Sequence, residues 1–230
     1  FWDLFEKSNL FLENIIRTAD RDIIIDRDVA WFFQNPVNDG GVWNSFLNIA
    51  GKYGVVPASA MPETAHSDNT SMLTGILNEY LRKEGYAIRQ MISSGTSEAK
   101  AREYKIGAMK GVYRILALCL GEPPAVFTWR YRTADGEIKS LTSTPAEFYR
   151  SIVPADYGAG SYIMVMHDPT RPYYKVYEIE NYRNTFEGVD WKYLNLPLDE
   201  IKASAIASIK ADEALYASCD ISRYYKADEG

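Results

Sequence analysis

Asn38-Asp39-Gly40-Gly41-Val42-Trp43 stands directly before a run of apolar residues at helical spacing. Two adjacent glycines remove two β-carbons, so a second backbone can approach the chain there and form hydrogen bonds. Asn38 and Asp39 belong to the residue types that cap helices, and one of them is expected to cap the helix that follows. That helix is predicted from apolar residues that recur at helical spacing: Val42, Phe46, Leu47, Ile49 and Ala50.

The predicted helix ends at Gly51-Lys52-Tyr53-Gly54, because glycine is common just after the last helical turn. Val55-Val56-Pro57 then leaves as extended chain, since proline cannot continue a helix. By themselves, these residues predict a loop, a helix and a turn. A Gly-Gly pair alone leaves the function open.

Several longer stretches resemble one peptidase family. Asn38-Asp39-Gly40-Gly41, the helix ending in Lys52-Tyr53-Gly54-Val55, and Pro57 with Pro62-Glu63 look like the substrate-binding glycine segment of papain-superfamily cysteine peptidases. Four more stretches resemble the bleomycin hydrolase and aminopeptidase C branch: Phe1-Trp2-Asp3-Leu4-Phe5-Glu6-Lys7, Phe127-Thr128-Trp129, Thr144-Pro145-Ala146-Glu147-Phe148-Tyr149 and Cys219-Asp220. The resemblance covers essentially all 230 residues, in the family's order.

The resemblance implies an α+β fold, namely part of a papain-like cysteine peptidase fold. Residues 1–63 would be the remainder of the helical half, with the glycine segment. Residues 64–122 would be a helical insertion of two antiparallel helices that makes oligomer contacts. Residues 123–230 would be part of the β-rich half.

The resemblance also implies where a peptide would bind. In this family the active site lies in the cleft between the two halves, and the substrate backbone pairs with the glycine segment as an added strand. Gly41 is expected to make that pairing and Gly40 to give it room. Asp39 would shape the turn, and Val42 would line the adjoining apolar pocket.

A buried strand predicted at Ala214 to Cys219 matches the family strand that closes this pocket from the other half. Ala217 and Cys219 are therefore further candidates for substrate binding. Cys219 is not expected to be the nucleophile, because papain-type nucleophiles begin a helix whose positive end lowers the thiol pKa. Cys119, between Leu118 and Leu120, is interpreted as a buried apolar residue.

No catalytic residue is predicted within the chain. In the resembling family, the catalytic Cys and an oxyanion-hole Gln lie upstream of the stretch that Phe1-Trp2 matches. The catalytic His and Asn lie downstream of the stretch that ends at Gly230. The chain is therefore expected to be the middle of a longer enzyme, with His66 and His167 structural or exposed.

Hydrophobic periodicity predicts the remaining elements. Helices are expected at Phe1 to Ala19, Asp22 to Phe33, two stretches within Thr64 to Leu120 separated by Ser93-Ser94-Gly95, Pro145 to Ile152, and Leu198 to Ile209. A hairpin is expected around Asp135-Gly136, with further strands at Tyr162 to Met166, Tyr173 to Ile179 and Trp191 to Leu194.

Composition limits the alternatives. Hydrophobic residues make up 47% of the chain and charged residues 24%, which is ordinary for a globular protein. No apolar run reaches the length of a membrane span. The two cysteines are too few for a disulfide framework and favour a reducing compartment, so a cytoplasmic protein is expected. The two His and two Cys lack metal-ligand spacing, and no phosphate loop or dinucleotide fingerprint occurs, so no metal or cofactor is expected.

Residues 82–114 are basic in an otherwise acidic chain. They hold eight Lys or Arg against three Glu, a net +5, whereas the whole chain carries -6. A solvated helix face or a subunit contact is the favoured interpretation. The alternative is a surface for nucleic acid, which eukaryotic members of the resembling family are described as binding.

The leading hypothesis is a papain-like cysteine aminopeptidase that acts on peptides by thiolate attack and assembles, by resemblance, as a homohexamer. A rival hypothesis belongs to another class. The chain would then be a catalytically inactive peptide-binding or scaffold module that keeps the cleft and has no nucleophile.

Overall fold

The computed structural model describes residues 1–153, 163–179 and 182–218. Its helices are α1 (Trp2–Arg17), α2 (Arg27–Gln34), α3 (Trp43–Tyr53), α4 (Ala65–Asp68), α5 (Ser71–Ser93), α6 (Glu98–Leu120), α7 (Pro145–Ile152) and α8 (Leu198–Lys210), with a 3-10 turn at Ala58–Ala60. Its strands are β1 (Phe127–Arg132), β2 (Ile138–Ser143), β3 (Val165–Met166), β4 (Lys175–Ile179) and β5 (Trp191–Asn195). The chain forms two compact units, one of Phe1–Tyr162 with Glu180–Trp191 and one of Ile163–Ile179 with Lys192–Gly230.

The hydrophobic core of the first unit lies between α1, α5 and α6. Each of these helices turns an apolar stripe inward, as the periodicity predicts. Leu73, Leu77 and Leu81 of α5 are fully buried, and each such side chain contributes about 1.5–3 kcal/mol on burial. The predicted insertion therefore shares one core with α1.

α5 and α6 are antiparallel, which confirms the prediction. The Tyr80 hydroxyl donates to the Ala108 carbonyl at 3.1 Å, and one turn further along α5 the Glu84 carboxylate accepts from the Tyr104 hydroxyl at 2.7 Å. The hydrogen bond to Glu84, together with burial, raises the pKa of Tyr104 to about 12. Ser97 caps α6, since its hydroxyl accepts from the Lys100 amide.

α3 begins one residue after Val42, and neither Asn38 nor Asp39 caps it. Val42 occupies the N-cap position with extended backbone and offers no side-chain acceptor. A capping side chain reaches only the amides two or three residues ahead, so Asp39 lies too far upstream of Trp43. The predicted cap is therefore wrong, although the helix itself is confirmed.

The C-terminal end of α3 packs closely on α7. Gly54 ends the helix with φ +76°, and the amide of Val55 donates to the carbonyl of Pro145 at 3.2 Å. A β-carbon on Gly54 would lie 2.2 Å from the carbonyl carbon and oxygen of Pro145. Glycine is required here both by the backbone conformation and by the neighbouring backbone.

α2 begins at Arg27 rather than at Asp22, so the predicted start is wrong by five residues. The Asp22 carboxylate accepts from the amides of Ile24 and Ile25 at 2.7 and 2.8 Å, which closes a turn before the helix. Asp26 then caps α2 through two backbone amides. Aspartate side chains compete for backbone amides in this way and favour turns and caps over helix interiors.

The hairpin of β1 and β2 follows the prediction from Asp135-Gly136. The two strands pair antiparallel from Phe127 opposite Ser143 to Arg132 opposite Ile138, and Gly136 takes φ +90° in the turn. α7 follows at once, capped by Thr144 and Glu147 in a reciprocal capping box.

The second unit contains a three-stranded sheet in the order β3-β5-β4. β3 pairs with β5 in parallel, with Val165 opposite Leu194 and Met166 opposite Asn195. The buried Asn195 amide nitrogen donates to the carbonyls of Asp168, Arg171 and Pro172, at 2.9, 3.0 and 3.2 Å. α8 then runs one residue beyond its predicted end.

The predicted buried strand after α8 is not seen in the described residues. Residues 214–218 form neither helix nor strand and are exposed, and Cys219 lies outside the described residues. A strand needs a hydrogen-bonded neighbour, and no ladder among the described residues includes 214–218.

Candidate functional site

The glycine segment, residues 38–42, lies at the surface just before α3. Asn38 through Gly41 are exposed, and Val42 is half-buried. A β-carbon on Gly41 would meet only the Cβ of Ser45, at 3.7 Å, so space beside the backbone is open. Within the described part of the chain, the amide and carbonyl of Gly41 form no hydrogen bond.

Two side chains from other elements hold the glycine segment. The Lys7 ammonium, from α1, donates to the carbonyls of Asn38 and Gly40, the first at 2.9 Å. The Thr70 hydroxyl, at the start of α5, donates to the carboxylate of Asp39. Asp39 thus contacts the predicted insertion.

α1 also anchors the C-terminal end of α3. The buried Glu6 carboxylate accepts from the Lys52 ammonium at 2.7 Å and from the Tyr53 hydroxyl, and Glu187 also binds Lys52. Desolvation alone would lower the pKa of Lys52, but the hydrogen bonds to Glu187 and Glu6 outweigh it and raise that pKa. The rings of Trp2 and Tyr53 stack with centroids 4.1 Å apart. Side chains of other elements therefore hold both the C-terminal end of α3 and the segment that precedes it.

The chain is similar to known proteins of one peptidase family. The Peptidase C1-like family matches residues 1–230. The chain belongs to that family. Aminopeptidase C of Listeria monocytogenes serovar 1/2a (strain ATCC BAA-679 / EGD-e) is 37% identical over 233 residues, which is 100% of this chain and 52% of the relative. Bleomycin hydrolase of Homo sapiens is 34% identical over 235 residues, covering 100% of this chain and 51% of the relative.

The fold agrees with a solved member of this group. The crystal structure of PepW from Lactobacillus rhamnosis HN001 (DR20) matches with a TM-score of 0.87 at 36% identity, over 93% of this chain and 48% of that chain. The predicted α+β class and partial papain-like peptidase fold are thereby confirmed. The chain spans about half the length of the relatives it matches.

The other candidate residues lie in different settings. Ala217 is exposed in irregular chain, and Cys219 lies outside the described residues. Cys119 is half-buried rather than buried, because it lies at the edge of the core, against which its free thiol packs. His66 lies half-buried in α4, and the exposed His167 ring stacks on Tyr173.

The described residues contain neither a cluster of potential metal ligands nor a helix that could span a membrane. No group of three or more His, Cys, Asp or Glu in residues 1–153, 163–179 and 182–218 could hold a metal ion. None of the helices in that part of the chain combines the length and apolar character needed to cross a bilayer.

Half of the basic side chains in residues 82–114 are engaged inside the protein. Arg82 donates to the carbonyls of Phe33 and Gln34 at the end of α2, at 2.8 and 3.0 Å. Arg89 donates to the carbonyl of Thr18 just after α1, at 2.8 Å. These arginines donate hydrogen bonds to carbonyls at helix ends. Neither the solvated or subunit-contact interpretation nor the nucleic-acid interpretation of the basic residues included this role. Arg102 and Lys105 bind the carboxylate of Glu13.

Lys7 contacts the glycine segment, but no sequence pattern predicted this contact. The available signal was its place four residues after Asp3 on a helix, a spacing that many surface ion pairs share. Its contacts with Asn38 and Gly40 join residues 31 and 33 positions apart. No periodicity of the chain encodes such a contact.

Proposed function

We propose that the intact protein is a papain-like cysteine aminopeptidase. Its catalytic Cys, His and Asn would lie outside these 230 residues, and a thiolate would attack the peptide carbonyl. The present chain supplies part of the substrate cleft. Peptides are the substrates, and the enzyme works in the cytoplasm.

The observation that carries this proposal is the free backbone of Gly41. Its amide and carbonyl are unpaired within the described residues, the residue is exposed, and a β-carbon added there would meet only Ser45 Cβ, at 3.7 Å. Such a backbone can accept a peptide by strand addition, in which main-chain hydrogen bonds provide affinity. Family membership supports the same use of this segment.

The neighbouring residues take supporting roles in the proposal. Gly40 leaves room for the substrate backbone, and Asp39, held by Thr70, shapes the turn. Val42, half-buried before α3, lines the apolar pocket for a substrate side chain. Ala217 and Cys219 remain candidates for substrate binding.

The helical insertion, residues 64–122, carries the subunit contacts of a homohexamer in this proposal. α5 and α6 expose large apolar side chains despite their well-packed inner faces. Met72 is 65% exposed, Ile106 61% and Leu118 78%. Exposed apolar side chains of this size are typical of protein–protein interfaces when they are grouped. Sedimentation of the intact protein measures the subunit count directly.

Gly41→Trp tests the placement of the substrate. The indole would fill the open space beside the segment, so kcat/KM for peptide substrates is expected to fall about a hundredfold. Gly51→Trp is the matched control, because Gly51 is exposed in α3 and a β-carbon there meets nothing within 4 Å. The assay is release of N-terminal residues by the intact protein, with a thiol-blocking reagent to confirm the mechanism.

Two results would contradict the proposal in different ways. If Gly41→Trp retains thiol-blockable hydrolysis at the level of Gly51→Trp, the substrate backbone does not bind at Gly41. If the unmodified intact protein shows no thiol-blockable hydrolysis, the peptidase assignment is wrong, and the scaffold hypothesis takes its place.

A further inference from the structure

All the donors of Lys7 are used inside the protein. Its side chain is 14% exposed, and its ammonium contacts the Asp3 carboxylate at 2.7 Å. The other two contacts are the carbonyls of Asn38 and Gly40. An ammonium has three N–H donors, so these three acceptors satisfy it completely. Lys7 is therefore a structural cation rather than a free surface charge.

The two carbonyls lie on either side of Asp39, in a segment that contains two adjacent glycines. Adjacent glycines allow many backbone conformations, and holding one of them costs conformational entropy. Two hydrogen bonds from one rigidly held ammonium restrict that freedom. The segment is then already in a single conformation before a substrate arrives.

The contact with Gly40 also acts on Gly41. The carbonyl of Gly40 and the amide N–H of Gly41 belong to one peptide group. A cation that donates to the oxygen polarises the group, and hydrogen bonds through a polarised peptide strengthen one another. The Gly41 N–H, unpaired within the described residues, is thus the donor that Lys7 strengthens.

The position of Lys7 is itself fixed by a hydrogen bond to its ion-pair partner, Asp3. The Asp3 carboxylate accepts from the Asn184 side-chain amide at 2.7 Å, and the same nitrogen donates to the Ser45 carbonyl in α3 at 2.9 Å. Asn184 is 1% exposed, so this connection lies inside the first unit. The ammonium therefore has little freedom to leave the glycine segment.

We propose that Lys7 is a positioning residue that orients and polarises the Gly40–Gly41 peptide group for hydrogen bonding to a substrate backbone. This inference rests on the proposed function, since it assumes that a peptide pairs with Gly41. Lys7 does not contact the reacting atoms. Its effect should therefore fall on substrate binding more than on the chemical step.

Lys7→Met in the intact protein is the direct test. Methionine keeps the length and apolar stem of the side chain and removes all three donors. KM for a peptide substrate is expected to rise about tenfold, with kcat changed by less than about twofold. Lys83→Met is the matched control, because the Lys83 side chain is 80% exposed and its ion-pair contact is Glu84 at 4.0 Å.

Two further measurements separate positioning from general damage. Limited proteolysis within residues 38–42 should accelerate at least about tenfold in Lys7→Met, because an exposed segment released from its anchor is cleaved more readily, and it should stay unchanged in Lys83→Met. Alkylation of the catalytic thiol by iodoacetamide, which needs no peptide cleft, should proceed at the unmodified rate in both variants. If Lys7→Met alone does not fold, the double variant Asp3→Asn/Lys7→Met leaves no unpaired carboxylate and serves the same test.

The outcomes distinguish this inference from the proposed function. If the unmodified enzyme is active, and Lys7→Met and Lys83→Met have the same KM and the same cleavage rate within residues 38–42, the role of Lys7 alone is overturned. An intact protein without thiol-blockable hydrolysis overturns the proposed function, and the positioning role of Lys7 with it. A higher KM together with faster cleavage of residues 38–42 in Lys7→Met alone supports both.

Discussion

Gly54→Ala is expected to lower the free energy of unfolding by about 4 kcal/mol, a loss that only a few mechanisms produce. Two effects combine at this position. The backbone φ of +76° strains any residue with a β-carbon. The new methyl would also lie 2.2 Å from the carbonyl of Pro145 and 2.4 Å from the amide nitrogen of Ala146. Both neighbours are backbone atoms at the start of α7, so neither can rotate away.

Gly121→Ala separates the two effects. Gly121 follows α6 with φ +78°, and a β-carbon there meets nothing within 4 Å. Its loss should be only the conformational part, about 1–2 kcal/mol. Urea unfolding of both variants measures the difference. Equal losses at Gly54 and Gly121 would mean that α3 and α7 do not meet as closely as the structure has them.

The parts of the fold that the sequence predicted are those with repeated local signals. Leu73, Leu77 and Leu81 recur at helical spacing, and all are fully buried between α5 and its neighbours. Asp135-Gly136 between two alternating stretches predicted the hairpin, and Gly136 has the positive φ that such a turn requires. Such signals repeat over many residues, so a single competing contact does not cancel them.

The predictions that failed depended on one side chain each. Asp22 looked like the start of a helix, but its carboxylate binds the amides of Ile24 and Ile25 and closes a turn instead. Asp39 looked like a cap, but its carboxylate accepts from Thr70, on another element. One aspartate can satisfy several alternative donors, and the sequence does not state which donor tertiary packing brings near.

The same contrast between local sequence signals and tertiary contacts applies to the candidate site. Gly40 and Gly41 became candidates because two adjacent glycines lack β-carbons, and the resemblance supplied their expected role. Lys7 was not a candidate, since its contacts are with two carbonyls more than 30 residues away. Every residue has a backbone carbonyl, so the sequence does not indicate which carbonyls accept a hydrogen bond from a lysine. Only the packing of α1 beside the segment identifies these two carbonyls.

Glu13 is a buried carboxylate on α1 that receives two cations from α6. The residue is 6% exposed, and it accepts from Arg102 at 2.9 Å and from Lys105 at 2.9 Å. The side chain of Lys105 is itself only 13% exposed. Because the contact joins two helices of the main core, its loss should destabilise the first unit as a whole.

Glu13→Gln is expected to lower the free energy of unfolding by about 3 kcal/mol, because it leaves the mostly buried ammonium of Lys105 without its counter-charge. Glu98→Gln is the matched control. Glu98 binds the same Arg102 at 3.1 Å, but its side chain is 58% exposed, so a loss below about 0.5 kcal/mol is expected there. Urea unfolding at pH 7 measures both. Similar losses in the two variants would show that burial of Glu13 adds nothing to the interaction.

The pH dependence gives a second measure of the same interaction. Desolvation alone would raise the pKa of Glu13, but the hydrogen bonds from Arg102 and Lys105 outweigh it and lower the pKa below its ordinary value. A carboxyl with a lowered folded-state pKa stabilises the protein above its unfolded pKa, about 4.3 for glutamate, and loses that contribution as pH falls through the folded-state pKa. The stability difference between unmodified protein and Glu13→Gln should therefore be constant near neutral pH and shrink as the medium becomes strongly acidic. A difference that stays constant across the acidic range would mean that the charge on Glu13 is not what binds α1 to α6.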